Sequence, residues 1–254
     1  MASSLNLLQK EPSSVPELQA SYNRLFQGWM GSHKNLNQAN RILDLLRVQA
    51  GCSFIDIGCG LGYMLDMAAQ RGLSAVGIDI SEVALQRAKA DNQWSRMLTL
   101  SEAENTPFPP QSFDYAAILG SLEHFLNPDA AIKEVVRILK KEGKVAILVP
   151  NSHHIRAIYN VYKFGEILPE MQDFERFATR AEWERLFVNN GLQVLSVHKF
   201  DMGMARIHKK GRELFWYAYN ILYKLFNNHW IPLNLTYTFI FICQPDLSRT
   251  AGEK

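Results

Sequence analysis

Short apolar segments alternate with amphipathic ones between residues 51 and 150, and this alternation constrains the fold more than any other feature. Runs such as "SFIDIG" at 53–58 and "KVAILVP" at 144–150 have the length of buried strands and are bounded by glycine or proline. Segments between them, such as "DAAIKEVVRILKK" at 129–141, carry apolar residues at helical spacing. Strands separated by such helices pair in parallel through right-handed crossovers. The sequence therefore predicts a doubly wound α/β sheet of the Rossmann-like type.

Seven strands are expected in this mostly parallel sheet. Five lie before residue 151, and "LQVLSVHKF" at 192–200 and "LTYTFIFIC" at 235–243 are expected to close it. Gly51 and Gly143 are expected to end the helices that precede them. A helical cap is expected before the first strand, and a helical insertion is expected at 201–232, before the last one.

Three glycines follow the first predicted strand in "FIDIGCGLGY", at positions 58, 60 and 62. They allow the backbone to turn tightly and to approach a ligand at the start of a helix. Asp79 lies 21 residues after Gly58, at the end of the next predicted strand, where an acidic side chain reaches a ribose diol in nucleotide-binding folds. Tyr63 stands where the dinucleotide fingerprint has glycine, which disfavours a pyrophosphate. The pattern favours a nucleoside ligand without phosphates and leaves an NAD(P)-dependent oxidoreductase as the weaker alternative.

Four segments occur in order over about residues 40 to 150: "FIDIGCGLGYML", "VGIDIS", "AENTPFPPQSFDYA" and "LEHFLNPDAAIKEVVRILKKEGKVAILVPN". Together they resemble class I S-adenosylmethionine-dependent methyltransferases and are most similar to the branch that contains quinone-biosynthesis and related small-molecule enzymes. The resemblance implies an enzyme that binds S-adenosyl-L-methionine, releases S-adenosyl-L-homocysteine and methylates a small-molecule acceptor. It also implies a single domain, with a tail and cap at 1–50, a cofactor-binding core at 51–150 and a substrate-side half at 151–254.

The resemblance assigns roles to individual residues. The first motif would wrap the methionine end of the cofactor, Asp79 would hold the ribose hydroxyls, and Ile80 would lie beside the adenine. Glu102 stands where the family more often has aspartate, and "LKKEG" replaces the family's "LKPGG" turn. The complete predicted cofactor set is Asp56, Gly58, Cys59, Gly60, Gly62, Asp79, Ile80, Glu102, Ala103 and Leu119.

Two histidines are candidates for catalysis. His124 lies just past the fourth predicted strand, where an acceptor would enter, and His153 follows the fifth. A general base is needed only if the acceptor is protonated at working pH, so each histidine has a structural alternative. Adjacency of His153 and His154 is a poor metal signal, and no metal is expected. Cys59 is expected to pack rather than to act as a nucleophile, because no ordered base accompanies it.

Composition excludes several classes of function. The net charge of +2 and the pI near 8.4 give no basic surface for nucleic acid. Three cysteines without framework spacing indicate a reducing compartment. No secretory signal is visible, and no run approaches the roughly 18 apolar residues of a membrane span, so a cytoplasmic protein is expected.

The least ordinary segment is "HKKGRELFWYAYNILYKLF" within the insertion 201–232. It has an aromatic and aliphatic helical face behind a basic cluster. It could pack on the domain as a lid, or it could meet a lipid-like acceptor or a membrane surface through 208–230. Two alternatives also exist for the aromatic residues Tyr22, Phe26 and Trp29: they pack in the core, or they cover the cofactor. A non-catalytic regulatory protein of the same fold also remains open, as does the oligomeric state.

Overall fold

A seven-stranded sheet forms the centre of the molecule. The structure is a computed structural model that describes residues 12–28, 36–91, 97–165, 175–200 and 230–250. The strand order is β3-β2-β1-β4-β5-β7-β6, and β7 alone runs antiparallel, to both β5 and β6. This arrangement confirms the predicted mostly parallel doubly wound sheet. The strands are β1 (Ser53–Ile57), β2 (Ser74–Asp79), β3 (Leu98–Leu100), β4 (Phe113–Leu119), β5 (Leu139–Pro150), β6 (Leu192–Phe200) and β7 (Thr238–Pro245).

Helices connect the strands, and their starts follow local signals in the sequence. Asn127 caps α5 by accepting a hydrogen bond from the Ala130 N–H at 3.0 Å, and Ser81 Oγ caps α4 through the Ala84 N–H at 3.1 Å. The helices are α1 (Val15–Gln27), α2 (Leu36–Leu46), α3 (Tyr63–Gln70), α4 (Glu82–Asp91), α5 (Pro128–Ile138), α6 (Ile155–Phe164) and α7 (Arg180–Asn189), with short 3-10 turns at Leu122–His124 and Leu233–Leu235 and a final helical turn at Leu247–Thr250. Among the described residues, none of these helices has the length and apolar character that crossing a membrane requires.

Two helix ends differ from the sequence expectation. Helix α2 ends at Leu46, because Arg47 adopts a left-handed conformation (φ 55°), so Gly51 does not end it. Helix α5 ends at Ile138, because Leu139 already pairs with Phe113 of the neighbouring strand. Gly143 therefore lies inside β5, where a Cβ would stand 2.9 Å from the Lys140 carbonyl oxygen.

The core lies on both faces of the sheet. One face packs against α5 and α7, with Val135 and Phe187 fully buried, and the other packs against α2 and α3, with Ile42 and Leu65 fully buried. Strands β1, β2 and β4 end nearly level, since Ile57 is paired with Ile78 and Ile118. Their carboxyl ends form the edge at which ligands bind in such sheets. Of the predicted insertion at 201–232, only the last three residues are among those described.

Candidate functional site

The chain turns sharply between β1 and α3, at the carboxyl edge of the sheet. Gly58, Gly60 and Gly62 have φ values of 75°, 51° and 74°, which an L-residue with a side chain rarely adopts. The N–H groups of Gly58 and Cys59 both donate to the Ile78 carbonyl at 2.9 Å, which joins the turn to the end of β2. A Cβ at Gly58 would lie 2.6 Å from Ser121 Oγ, so the backbone here has no room for a side chain.

The carboxylate of Asp79 holds this turn from the end of β2. One oxygen accepts the Gly60 N–H at 2.8 Å and the other accepts the Ser81 N–H at 2.8 Å. Burial raises the pKa of Asp79, although these amide donors oppose the shift. Asp79 therefore fixes the glycine turn, and its carboxylate lies at the carboxyl edge of the sheet, where ligands bind in folds of this type.

A second carboxyl group, Asp56, is buried within β1. Burial, and then the charge of Asp79, raise its pKa from 3.8 to about 7. A cationic group bound beside these two carboxyl groups would favour their ionised forms. The site thus combines a backbone turn with two buried acids, an arrangement suited to a ligand that carries positive charge.

Cys59 lies inside the turn and is buried. Its Sγ is 2.8 Å from the position of a Cβ on Gly77 in β2, so it fills the space that this glycine leaves. Burial is the main cause that raises the pKa of the Cys59 thiol well above its ordinary value, and the charges of Asp79 and Asp56 raise it further. The protonated thiol is a packing group and a poor nucleophile.

The predicted adenine side lies next to Asp79. The Ser101 N–H donates to the Asp79 carbonyl at 3.1 Å, which places Glu102 (half-buried) and Ala103 (buried) directly after this junction. The loop beyond is anchored by Glu134, whose Oε1 accepts the N–H of Thr106 at 2.8 Å and its hydroxyl at 2.6 Å. This buried anchor holds the loop against the sheet edge.

Helix α1 covers the glycine turn and the start of α4. Its Gln19 side chain donates to the Ile80 carbonyl at 3.0 Å, and Asn23 Oδ1 accepts the Ser81 hydroxyl at 2.7 Å. The Phe26 ring approaches to 3.4 Å the position where a Cβ of Gly60 would stand. Of the predicted aromatic trio, Phe26 and Tyr22 pack with Leu61 of the turn, whereas Trp29 lies outside the described residues. The anchoring roles of Gln19 and Asn23 were not predicted, because nothing in their own segment marks them.

The opposite side of the turn is formed by the residues that follow β4. Leu119 ends this strand half-buried, and Ser121 Oγ donates to the Ile57 carbonyl at 3.1 Å. His124 is buried, and its ring meets the ring of Tyr22 edge-on, with centroids 5.9 Å apart. Glu123 beside it is also buried and did not stand out in the sequence. Burial, and then the charge of Glu175, raise the pKa of Glu123 to about 8.

His153 and His154 occupy different environments. His153 is exposed, and its Nδ1 lies 2.7 Å from Ser152 Oγ on its own loop. His154 is buried, caps α6 by accepting the Ala157 N–H at 3.2 Å, and packs edge-on against Tyr237. The structure thus brings His124 to the turn through Tyr22, while the described contacts of His153 lie within its own loop.

Comparison with known proteins agrees with this geometry. Residues 55–147 match the family described as "Methyltransferase domain". The chain is 31% identical over 157 residues to a ubiquinone biosynthesis O-methyltransferase from Azoarcus, covering 58% of this chain and 67% of that protein. It is 26% identical over 216 residues to a demethylmenaquinone methyltransferase from Staphylococcus saprophyticus, covering 72% and 93%.

A solved structure shares the fold. The crystal structure of a SAM-dependent methyltransferase from Aquifex aeolicus has a TM-score of 0.55 and 14% sequence identity, covering 82% of this chain and 89% of that one. At this identity the similarity concerns the arrangement of strands and helices.

Proposed function

Because the chain belongs to the class I S-adenosylmethionine-dependent methyltransferases, we propose that S-adenosyl-L-methionine binds at the glycine turn and that the acceptor is a hydrophobic small molecule. One observation carries the cofactor assignment. The glycine turn is tied by its Gly60 amide to the buried carboxylate of Asp79, at the level carboxyl ends of β1 and β2.

The residues present fit this cofactor. Three left-handed glycines leave the turn without side chains on the ligand's path, and Asp79 keeps lone pairs for ribose hydroxyls. Asp56 supplies a buried carboxyl group beside the turn for the positively charged end of the ligand. Tyr63 at the start of α3 disfavours a dinucleotide, since a pyrophosphate needs close backbone approach there.

When bound, S-adenosyl-L-methionine supplies a methyl group that its sulfonium already activates. The task left to the chain is alignment and exclusion of water, which can lower the barrier by about 7–11 kcal/mol. Phe26 and Tyr22 on α1 cover the turn from one side, and Ser121 and Phe125 close it from the other, beside the position of a Cβ on Gly58. A base is needed only for an acceptor that stays protonated, and the buried His124 is the candidate that lies nearest this cover.

The hydrophobic acceptor is supported by the surface that follows β5. Helix α6 buries Ala157 and Asn160, and its exposed residues include the apolar side chains of Ile158, Tyr159 and Tyr162 beside Arg156 and Lys163. It begins at the carboxyl end of β5, which is the same edge of the sheet as the glycine turn. The names of the two relatives refer to quinones, which agrees with an apolar acceptor. Membrane contact through 208–230 stays a prediction, since of this range only Trp230, an exposed residue, is described.

The test is methyl transfer from labelled S-adenosyl-L-methionine to a hydroxylated quinol that carries an isoprenoid tail. The same quinol without the tail is the matched control. We expect kcat/KM to be at least about tenfold higher for the tailed acceptor, equivalent to ~1.4 kcal/mol of apolar contact. Equal values would refute the hydrophobic acceptor. Cofactor binding without transfer to any acceptor would favour the non-catalytic alternative.

A further inference from the structure

Three potential metal ligands meet beside the proposed cofactor site. Glu123 and His124 lie in the 3-10 turn after β4, and Glu175 arrives from the segment before α7. One ligand atom from each of the three side chains lies within 4.8 Å of the other two. The three residues form what we call the Glu-His-Glu cluster.

The backbone around the cluster is firmly joined. The Arg176 N–H donates to the Glu123 carbonyl at 3.0 Å, directly linking the two segments. The Arg176 guanidinium also donates to the carbonyls of Phe125 and Leu126, the latter at 3.2 Å. These bonds hold Glu175 opposite the 3-10 turn, so the cluster is preorganised.

One carboxylate oxygen of the cluster is buried without a hydrogen-bond partner among the described residues. Glu123 is 4% exposed, and its Oε2 is buried with no hydrogen-bond partner among the residues that the structure describes. Leaving a buried polar atom unsatisfied typically destabilises a protein by about 1–3 kcal/mol. A cation bound by Glu123 together with the other two members of the cluster would satisfy this oxygen.

We propose that Glu123, His124 and Glu175 bind one divalent transition-metal cation. Such ions bind imidazole nitrogen and carboxylate oxygen at about 2.0–2.2 Å, which sets neighbouring ligand atoms about 3–4 Å apart. From its 4.8 Å limit the cluster would contract by about 1–2 Å to reach that spacing. The imidazole favours Zn²⁺ or Co²⁺ over Mg²⁺ and Ca²⁺, which prefer ligand sets made of oxygen.

This inference goes beyond the proposed function and does not depend on it, because the ligands are side chains of the chain itself. Three protein ligands leave at least one coordination position open, as in catalytic metal sites. An acceptor hydroxyl bound there would have a lowered pKa, so the cation would take over the task of a general base. His124 then acts as a ligand, which explains why a histidine is buried beside two acids.

The experiment titrates the tag-free chain of 254 residues with Co²⁺ after removal of metals by a chelator. Visible absorption and calorimetry follow the binding. We expect one equivalent to bind, and we expect Glu123→Gln and Glu175→Gln each to weaken binding at least about tenfold, since even outer partners of a metal site typically contribute 10- to 100-fold. His153→Ala and Glu142→Gln change exposed residues outside the cluster and should bind Co²⁺ like the unmodified chain.

Binding of S-adenosyl-L-homocysteine to each variant is measured in parallel. Retention of this binding by Glu123→Gln shows that the variant is folded, so loss of Co²⁺ binding can be assigned to the cluster. Failure of S-adenosyl-L-homocysteine binding in the unmodified chain would count against the proposed function alone. Absence of Co²⁺ binding in the unmodified chain, or equal binding by the glutamine variants, would overturn the metal site.

Discussion

Gly58→Ala is the substitution for which the structure gives the most defined energetic expectation. The φ of Gly58 is +75°, and a Cβ there would lie 2.6 Å from Ser121 Oγ and 2.7 Å from Ser121 Cβ. A left-handed conformation destabilises a residue with a side chain by about 1–2 kcal/mol. Overpacking adds about 1–3 kcal/mol. We therefore expect the free energy of unfolding to fall by about 2–5 kcal/mol.

Gly51 provides the matched control. Its φ is +84°, and a Cβ there would have no atom within 4 Å. Gly51→Ala should therefore lose only the conformational part, about 1–2 kcal/mol. The difference between the two variants measures the overlap with Ser121. Adding Ser121→Gly to Gly58→Ala should recover the stability that is lost through this overlap. The single Ser121→Gly variant measures the loss of the hydrogen bond from Ser121 Oγ to the Ile57 carbonyl, and this loss is subtracted.

Urea denaturation followed by tryptophan fluorescence gives the free energies of unfolding of the unmodified chain and of these four variants. The reasoning predicts that Gly58→Ala is the least stable single variant and that it also weakens S-adenosyl-L-homocysteine binding, because the turn must move. Equal losses for Gly58→Ala and Gly51→Ala, or no recovery in the double variant, would refute the close packing of the turn against Ser121.

Three further predictions concern the same site. Asp79→Asn should raise the Kd of S-adenosyl-L-homocysteine by about 10- to 100-fold in calorimetry, because charged hydrogen bonds are worth about 1.5–3 kcal/mol; an unchanged Kd would remove this residue from the cofactor site. Phe26→Ala should speed cofactor dissociation at least about fivefold in stopped-flow fluorescence, since ~1 kcal/mol of cover over Gly60 is lost. For Asp56 the pKa rises from 3.8 to about 7 on folding, so the folded chain keeps a proton that the unfolded chain releases between these values, and stability should fall as pH rises through that window. Asp56→Asn should reduce this slope in urea denaturation at pH 5 and pH 7, and an unchanged slope would show that the group is not buried as described.

The order of strands and helices could be predicted because its signals are local. Asn127 before Pro128 caps α5, and Thr179 with Glu182 forms the capping box of α7. The ends of α2 and α5 could not be predicted in this way. Arg47 takes a left-handed conformation without a glycine, and α5 stops where the ladder with β4 begins, which is a tertiary contact.

In the site, too, the residues marked by local sequence signals could be predicted, whereas those that depend on tertiary contacts could not. Gly58 and Asp79 could be found because each lies at the carboxyl end of a predicted strand, and carboxyl ends of parallel strands meet at one edge. The bond from the Gly60 N–H to Asp79 follows from that placement. The approach of Glu175 to Glu123 could not be predicted, because it depends on how a distant segment docks through Arg176.

The measurement that tests the central claim most directly is calorimetric titration of the purified chain with S-adenosyl-L-homocysteine, with NADH as the control ligand and Asp79→Ala as the control variant. The glycine turn and its carboxylate predict one equivalent of S-adenosyl-L-homocysteine bound at micromolar affinity, severe weakening in the variant and no binding of NADH. Binding of NADH, or S-adenosyl-L-homocysteine affinity that does not respond to loss of Asp79, would contradict the assignment of this turn to the methyl donor.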